Sequence, residues 1–364
     1  MNINNIHKNT ESFLNSLKKS DSEFLYYPSK NGLTEYGKNL SLGFSCFALK
    51  IYYMLGLWDS LSPKEQDEWI KTILGYQSPE EQYLDGSFID SYLVESYNEK
   101  SLKKELKNSL KKFINYLPNY NFENNTQKLK KAVNAETKQA ISTLYEVGFK
   151  VDFDFKLNDN VSVDEFLNSF DWSKPWNAGA QFSSICVFST TQELGLKKEL
   201  SDFIEDKLDK NTGSYFSAIP NEKREIINGA MKVISGLDWL NLEIHYPHKL
   251  IDFCLDNKPV LEGCDMVDYI YVLYKCSLYS DHRNNQILDV FGSLINDIEK
   301  LYVSEDKAFS YFQSKSQTHY YGAPITDGRN QADLHGTTLI IWALAMLGDK
   351  LKMDNLSKIN IIKP

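Results

Sequence analysis

The apolar positions of this chain recur at the helical period almost throughout, and they divide the helices into two kinds. Segments 40–56 (LSLGFSCFALKIYYMLG), 177–194, 226–241, 264–278 and 332–347 are apolar nearly all round, and 135–148 is a weaker sixth member. Segments 63–76, 101–117, 198–208, 247–256 and 284–301 carry a single apolar stripe and a charged face, and 162–169 is a short segment of the same kind. In 101–117 the stripe is Leu102, Leu106, Leu110, Phe113 and Leu117, with lysines opposite. A helix apolar all round must be covered on every side, whereas a striped helix lies at a surface. The two kinds alternate, six buried with six exposed, which predicts an all-α (α/α)6 toroid of inner and outer helices. It would be one domain over 1–364, with 1–20 a peripheral N-terminal helix and 352–364 a tail. Strand signals are poor, and no short repeat of fixed period is present.

Connection lengths sharpen the picture. Links from buried to striped helices are short (57–62, 195–197, 241–246, 279–283), and links back are long (77–100, 118–134, 150–176, 209–225, 302–331). In such a ring all the long links lie on one face, beside the N-termini of the inner helices, whose free N–H groups favour anions. The starts of these helices are polar: Asn134, Glu136 and Lys138; Trp176, Asn177 and Gln181; Asn228 and Lys232; Cys264, Asp265 and Asp268; Gln331, Asp333 and His335. Capping accounts for one such residue per helix. It does not account for Gln181, Lys232, Asp268 and His335, which sit a turn inside apolar helices, so a shared cavity is expected there.

Composition changes this reading little. Hydrophobic content of 42% and aromatic content of 13% suffice for a large core. A net charge of −9 with no basic stripe argues against nucleic acid as a partner. No run of about 18 apolar residues suggests a membrane span. The N-terminus lacks an apolar signal core, and Cys46, Cys186, Cys254, Cys264 and Cys276 form no CxxC pair, so reduced thiols and a cytoplasmic location are expected.

Residues 70–88 read IKTILGYQSPEEQYLDGSF, 204–216 read IEDKLDKNTGSYF, and 307–312 read KAFSYF. This resembles the Gln-to-aromatic turns that tie the outer helices of terpenoid cyclases and protein prenyltransferases. The spacing is longer than usual, Phe replaces Trp, and the third copy lacks Gly. Asp268 and His335 lie 67 residues apart on successive inner helices. They resemble the zinc-binding Asp and His of prenyltransferase β subunits. The Cys expected two residues after the Asp is Ile270, while Cys264, one turn earlier on the same face, could supply the thiolate. The resemblance implies zinc on Asp268, Cys264 and His335. Residue-level alternatives are a small buried thiol and a helix-face acceptor. The DxDD and DDxxD motifs of terpene chemistry are absent; Asp85 and Asp90 flank a loop. An isoprenoid chain would want an aromatic floor, for which Tyr52, Tyr53, Tyr269, Tyr271 and Trp342 are candidates.

The segment 317–337 (QTHYYGAPITDGRNQADLHGT) is the most chemically loaded. His319, Tyr320, Tyr321, Asp333 and His335, with Asp268, are candidate proton-transfer groups. Trp176, Asn177, Gln181, Asn228, Lys232, Asp265 and Arg329 are candidate binding groups. The Tyr/His pairing resembles that of toroid polysaccharide lyases, and the acidic residues that of unsaturated-glucuronide hydrolases, though neither motif is matched. Three functions are therefore open: a prenyltransferase- or cyclase-like enzyme on an isoprenoid anion, a carbohydrate-active lyase, hydrolase or epimerase, and a toroid that only binds. Trp172 and Trp176 flank Pro175 at a helix start and suit either a sugar platform or a corner plug.

Overall fold

The run 42–54 has no polar face to offer solvent, and in the computed structural model nearly every residue of helix Leu42–Met54 is buried. The structure describes residues 5–20, 22–78, 86–98, 124–151, 154–155 and 162–364. The striped segment expected at 101–117, with Asp85 of the following motif, lies outside them. The described helices are α1 (Ile6–Leu17), α2 (Glu35–Asn39), α3 (Leu42–Met54), α4 (Pro63–Leu74), α5 (Ser91–Asn98), α6 (Asn125–Glu146) and α7 (Val163–Asn168). They continue as α8 (Pro175–Thr191), α9 (Lys197–Glu205), α10 (Lys223–Trp239), α11 (Pro247–Asp256), α12 (Gly263–Tyr279), α13 (Asn284–Glu299) and α14 (Leu334–Leu351). The protein is mostly helical, and none of these helices is long and apolar enough to cross a membrane.

The six apolar helices pack in sequence order: α3 on α6, α6 on α8, α8 on α10, α10 on α12, α12 on α14, and α14 back on α3. Striped helices lie against them, α4 on α3, α9 on α8, α11 on α12 and α13 on both α12 and α14. α4 starts at a capping box between Ser62 and Glu65 and buries Trp69, whose indole N–H donates to Ser45 Oγ at 3.0 Å. Within the expected N-terminal segment, helix α1 buries Phe13, Leu14 and Leu17.

One sequence expectation needs correcting. The weak inner segment 135–148 starts ten residues early, because Asn124 and Gln127 form a capping box ahead of a polar first stretch that hides the apolar period. Asn134, Glu136 and Lys138 therefore sit in the third and fourth turns. Sheet is sparse, as the poor strand signals imply: among the described residues there are three short antiparallel ladders, β1 (Lys18–Lys19) with β2 (Ser22–Tyr26), β3 (Tyr302–Val303) with β4 (Ala308–Phe309), and β5 (His319–Tyr320) with β6 (Ala323–Pro324).

The three aromatic turns share one backbone design. Ile89, Phe216 and Ser310 donate their N–H to the carbonyls of Tyr76, Lys207 and Leu301 at 2.8, 2.7 and 2.9 Å. Gly86, Gly213 and Lys307 all take the left-handed conformation two residues before buried Phe88, Tyr215 and Phe309. Lys307 thus fills the place that glycine holds in the other two copies. The N–H groups of Phe88 and Phe309 donate to Thr137 and Thr337 hydroxyls on the next apolar helix. Gln77 donates across its own turn to the Gly86 carbonyl at 3.0 Å.

The last residues close the opposite end. The Asn360 N–H donates to Met54 O, the Lys363 N–H to Glu146 Oε1 and Trp239 Nε1–H to Pro364 O, at the C-terminal ends of α3, α6 and α10.

Candidate functional site

Every one of the six apolar helices contributes to one cavity of about 530 Å³. α3 gives Phe47 and Lys50, α6 Lys138, Gln139 and Ser142, and α8 Trp176, Gln181 and Ser184. α10 gives Met231 and Lys232, α12 Cys264 and Asp268, and α14 His335, Thr338 and Trp342. Tyr311, Gln317, Tyr320 and Tyr321 cover it from the loop side, and Ile362 and Pro364 from the tail.

The chamber is cationic. Lys50, Lys138 and Lys232 line it with one carboxylate side chain, Asp268, which stands 3.8 Å from Lys232 Nζ, and Glu146 acts on Lys50 from outside the lining. Burial pushes Asp268 up to about 6 against the pull of Lys232. Burial, then Lys232 and Lys50, lowers Lys138 to about 7, and burial likewise lowers Lys50. Lys50 reaches Ser142 Oγ at 3.3 Å. Asp268 Oδ2, His335 Nδ1, Gln181 Oε1, Gln317 Oε1 and Trp342 Nε1 are buried without a hydrogen-bond partner. Orphaned polar atoms around one void imply a ligand or water that completes them.

His335 stacks on Phe47, ring centroids 4.4 Å apart and planes within 13°, with Tyr311 at 5.1 Å. Burial, reinforced by Lys232, holds its pKa down to about 3, so the ring is neutral at pH 7. Tyr320 and Tyr321 belong to the two-residue hairpin between β5 and β6. Tyr320 turns inward, buried against Phe44 and Phe47, and its hydroxyl faces the buried Glu136 carboxyl. Gly43 makes this possible, since a Cβ there would meet the Tyr320 hydroxyl at 2.0 Å. Tyr321, 37% exposed, stands at the mouth, where its carbonyl accepts from Tyr97.

The structure thus brings Trp176, Gln181, Lys232, Cys264, Asp268, Tyr320, Tyr321 and His335 together, and leaves the other expected residues elsewhere. Asn177 is exposed. Asn228 donates to Asp265 at 2.6 Å, and Asp265 pairs with Arg224 at 3.1 Å, a tie between helix starts. Asp333 caps α14 and is saturated by the N–H groups of Gly336, Tyr311 and Gln317, so it positions two lining residues rather than reacting. His319 is exposed beside Thr318, and Arg329 pairs with Asp327 at the surface. Trp172 is a corner plug, its indole N–H on Leu167 O.

The donors expected to hold zinc do not fit a metal. No three His, Cys, Asp or Glu side chains among the described residues are grouped to bind one. The Cys264 thiol, pushed up to about 11 by burial, accepts from the Tyr311 hydroxyl at 3.1 Å, Asp268 faces an ammonium, and His335 lies flat on Phe47. Of the aromatic floor candidates only Trp342 reaches the chamber; Tyr52, Tyr269 and Tyr271 pack in the core and Tyr53 sits partly buried against it.

Lys50, Phe47, Tyr311 and Gln317 are lining residues that sequence reasoning missed. Lys50 had a visible signal, a lone lysine in an otherwise apolar helix, whose charge must find a cavity or a partner. Compared with protein-family models, curated proteins and solved structures, the chain matches none.

Proposed function

We propose that the protein is an (α/α)6 toroid enzyme whose central chamber takes a small anionic ligand with an apolar body. The cyclic order of packed apolar helices supports the ring. The observation that carries the function is the chamber's make-up: three lysines against one carboxylate, walled by Phe47, Trp176, Tyr311 and Trp342. Its volume suits a ligand of ordinary cofactor or metabolite size. Lysines at partial burial attract a phosphate or carboxylate head, and the aromatic walls exclude water around the rest. This is the build of the terpenoid-cyclase and prenyltransferase-like toroids, with a prenyl diphosphate as the fitting substrate class. No step is assigned to zinc.

Among the chamber's acids and bases, Asp268 is better matched to proton transfer at neutral pH than His335, because its pKa of about 6 lies nearer the working pH than 3. Asp268 is therefore the proton-transfer group in this reading, and His335 a neutral hydrogen-bonding wall. The second reading, a carbohydrate-active toroid, rests on Tyr311 beside His335 and on Tyr320 and Tyr321 lining the same chamber.

Thermal melts with geranyl diphosphate, inorganic pyrophosphate and an unsaturated uronate disaccharide separate the readings. Stabilisation by geranyl diphosphate well beyond pyrophosphate, lost in Lys232→Ala, is the expected result. Stabilisation by the uronide alone selects the second reading, and no shift with any anion overturns both.

A further inference from the structure

Of the three lysines in the chamber, two have partners: Lys232 has Asp268 at 3.8 Å, and Lys50 has Ser142 at 3.3 Å. Lys138 makes no hydrogen bond or ion pair with any described residue. It lies on α6 one turn before Ser142 and lines the same void as Lys50, Lys232 and Asp268. We infer that Lys138 is an amine nucleophile that forms an imine with the aldehyde or ketone of an anionic carbonyl compound held by Lys232 and Lys50. This goes beyond the prenyl diphosphate reading, whose substrate has no carbonyl, and rests only on the chamber's taking an anion.

The surroundings meet what such an amine requires. A lysine attacks only as the free amine, and low polarity together with neighbouring cations favours that form. The groups that face Lys138 are Lys50 on α3, Cys186 on α8, Lys232 on α10 and Asp268 on α12. Burial and the two lysines lower its pKa, and Cys186 and Asp268 oppose them, leaving it at about 7. Close to half of the molecules then carry a neutral amine at neutral pH. The Lys138 nitrogen lone pair adds to the carbonyl carbon, and the C=O π pair moves to oxygen. The nitrogen's proton passes to that oxygen, with Asp268 the carboxylate nearest in the chamber to relay it. The hydroxyl then leaves as water, taking a second proton, as C=N forms. Amine plus carbonyl gives imine plus water, with no change of oxidation state.

The test uses the full chain with pyridoxal 5′-phosphate, an aromatic aldehyde carrying a phosphate, followed by borohydride reduction and peptide mapping. The expected result is an adduct on Lys138 at least about tenfold over any exposed lysine at limiting reagent. Labelling should fall as pH drops from about 8 to about 6, because the amine protonates. Lys138→Arg should abolish the adduct while the weaker labelling of exposed lysines persists. Adducts spread over exposed lysines with Lys138 unmodified overturn the inference. If pyrophosphate still stabilises the protein in that case, the anion-binding reading survives alone. If Lys138 is labelled and pyrophosphate gives no shift, the amine stands and the anion-binding reading falls.

Discussion

Asp268 shows how one side chain sets the charge of an enclosed space. Its carboxyl is half ionised at about pH 6 and mostly ionised at neutral pH, where it cancels much of the field of Lys232. Acidification through 6 removes that negative charge, and through 7 adds a positive one on Lys138. Both steps make the chamber more cationic, so its affinity for an anion rises as pH falls. Titration calorimetry with benzenesulfonate, whose own charge is constant over this range, should show tighter binding at about pH 5.5 than at pH 8. Asp268→Asn should bind at least about tenfold more tightly than the natural protein at pH 8, and its remaining pH dependence should be smaller. Affinity independent of pH in both proteins would mean that the ligand does not sit beside Asp268. His335 contributes nothing to this profile, since its proton is lost already near pH 3.

At the scale of elements, α4 depends on one side chain. Trp69 is wholly buried and meets Phe24, Tyr26, Tyr52 and Trp58 at centroid distances of 4.9 to 6.3 Å, with its N–H satisfied by Ser45. Trp69→Ala should cost about 3–5 kcal/mol in urea unfolding, and Ser62→Ala at the cap of the same helix only about 1 kcal/mol. Equal losses at the two sites would show that packing on Trp69 does not hold α4 in place. The helices were legible in the sequence because period and burial go together: 42–54 is apolar all round and ends up covered all round. α6 was half legible, since its polar first turns carry no apolar period. The short ladders were invisible because strands of two to five residues show too little period, although the aromatic turns, one of which carries β3 and β4, could be seen as a resemblance. The site was legible where a polar residue interrupts an apolar helix, as at Gln181, Lys232, Asp268 and His335. It was not legible at Asp333, because a cap and a catalytic carboxylate look alike until the donors are placed. The zinc expectation failed because spacing along a helix fixes a face, and gives no information on whether Tyr311 or Phe47 already occupies it.

On the scale of the whole molecule, the decisive contact joins the two helices furthest apart in sequence among the six, α3 and α14. His335 on α14 lies on Phe47 of α3, and Tyr320 from the loop before α14 lies on Phe44 and Phe47. Until residues 334–351 exist, α3 has only α6 beside it among the six apolar helices, and the flank that α14 covers stays open. A ribosome making this chain therefore carries an incomplete packing of apolar helices until α14 has emerged, and the chamber lacks its His335, Thr338 and Trp342 wall until then. Chains stopped before residue 334 should bind a hydrophobic dye strongly and aggregate, whereas the whole chain should do neither. If the shortened chains are soluble and melt cooperatively, the incomplete packing is stable without α14. Otherwise, helper proteins that shield sticky nascent chains are the machinery on which the yield of this protein depends, and a slow last step on the way to the finished fold is the kinetic mark to look for.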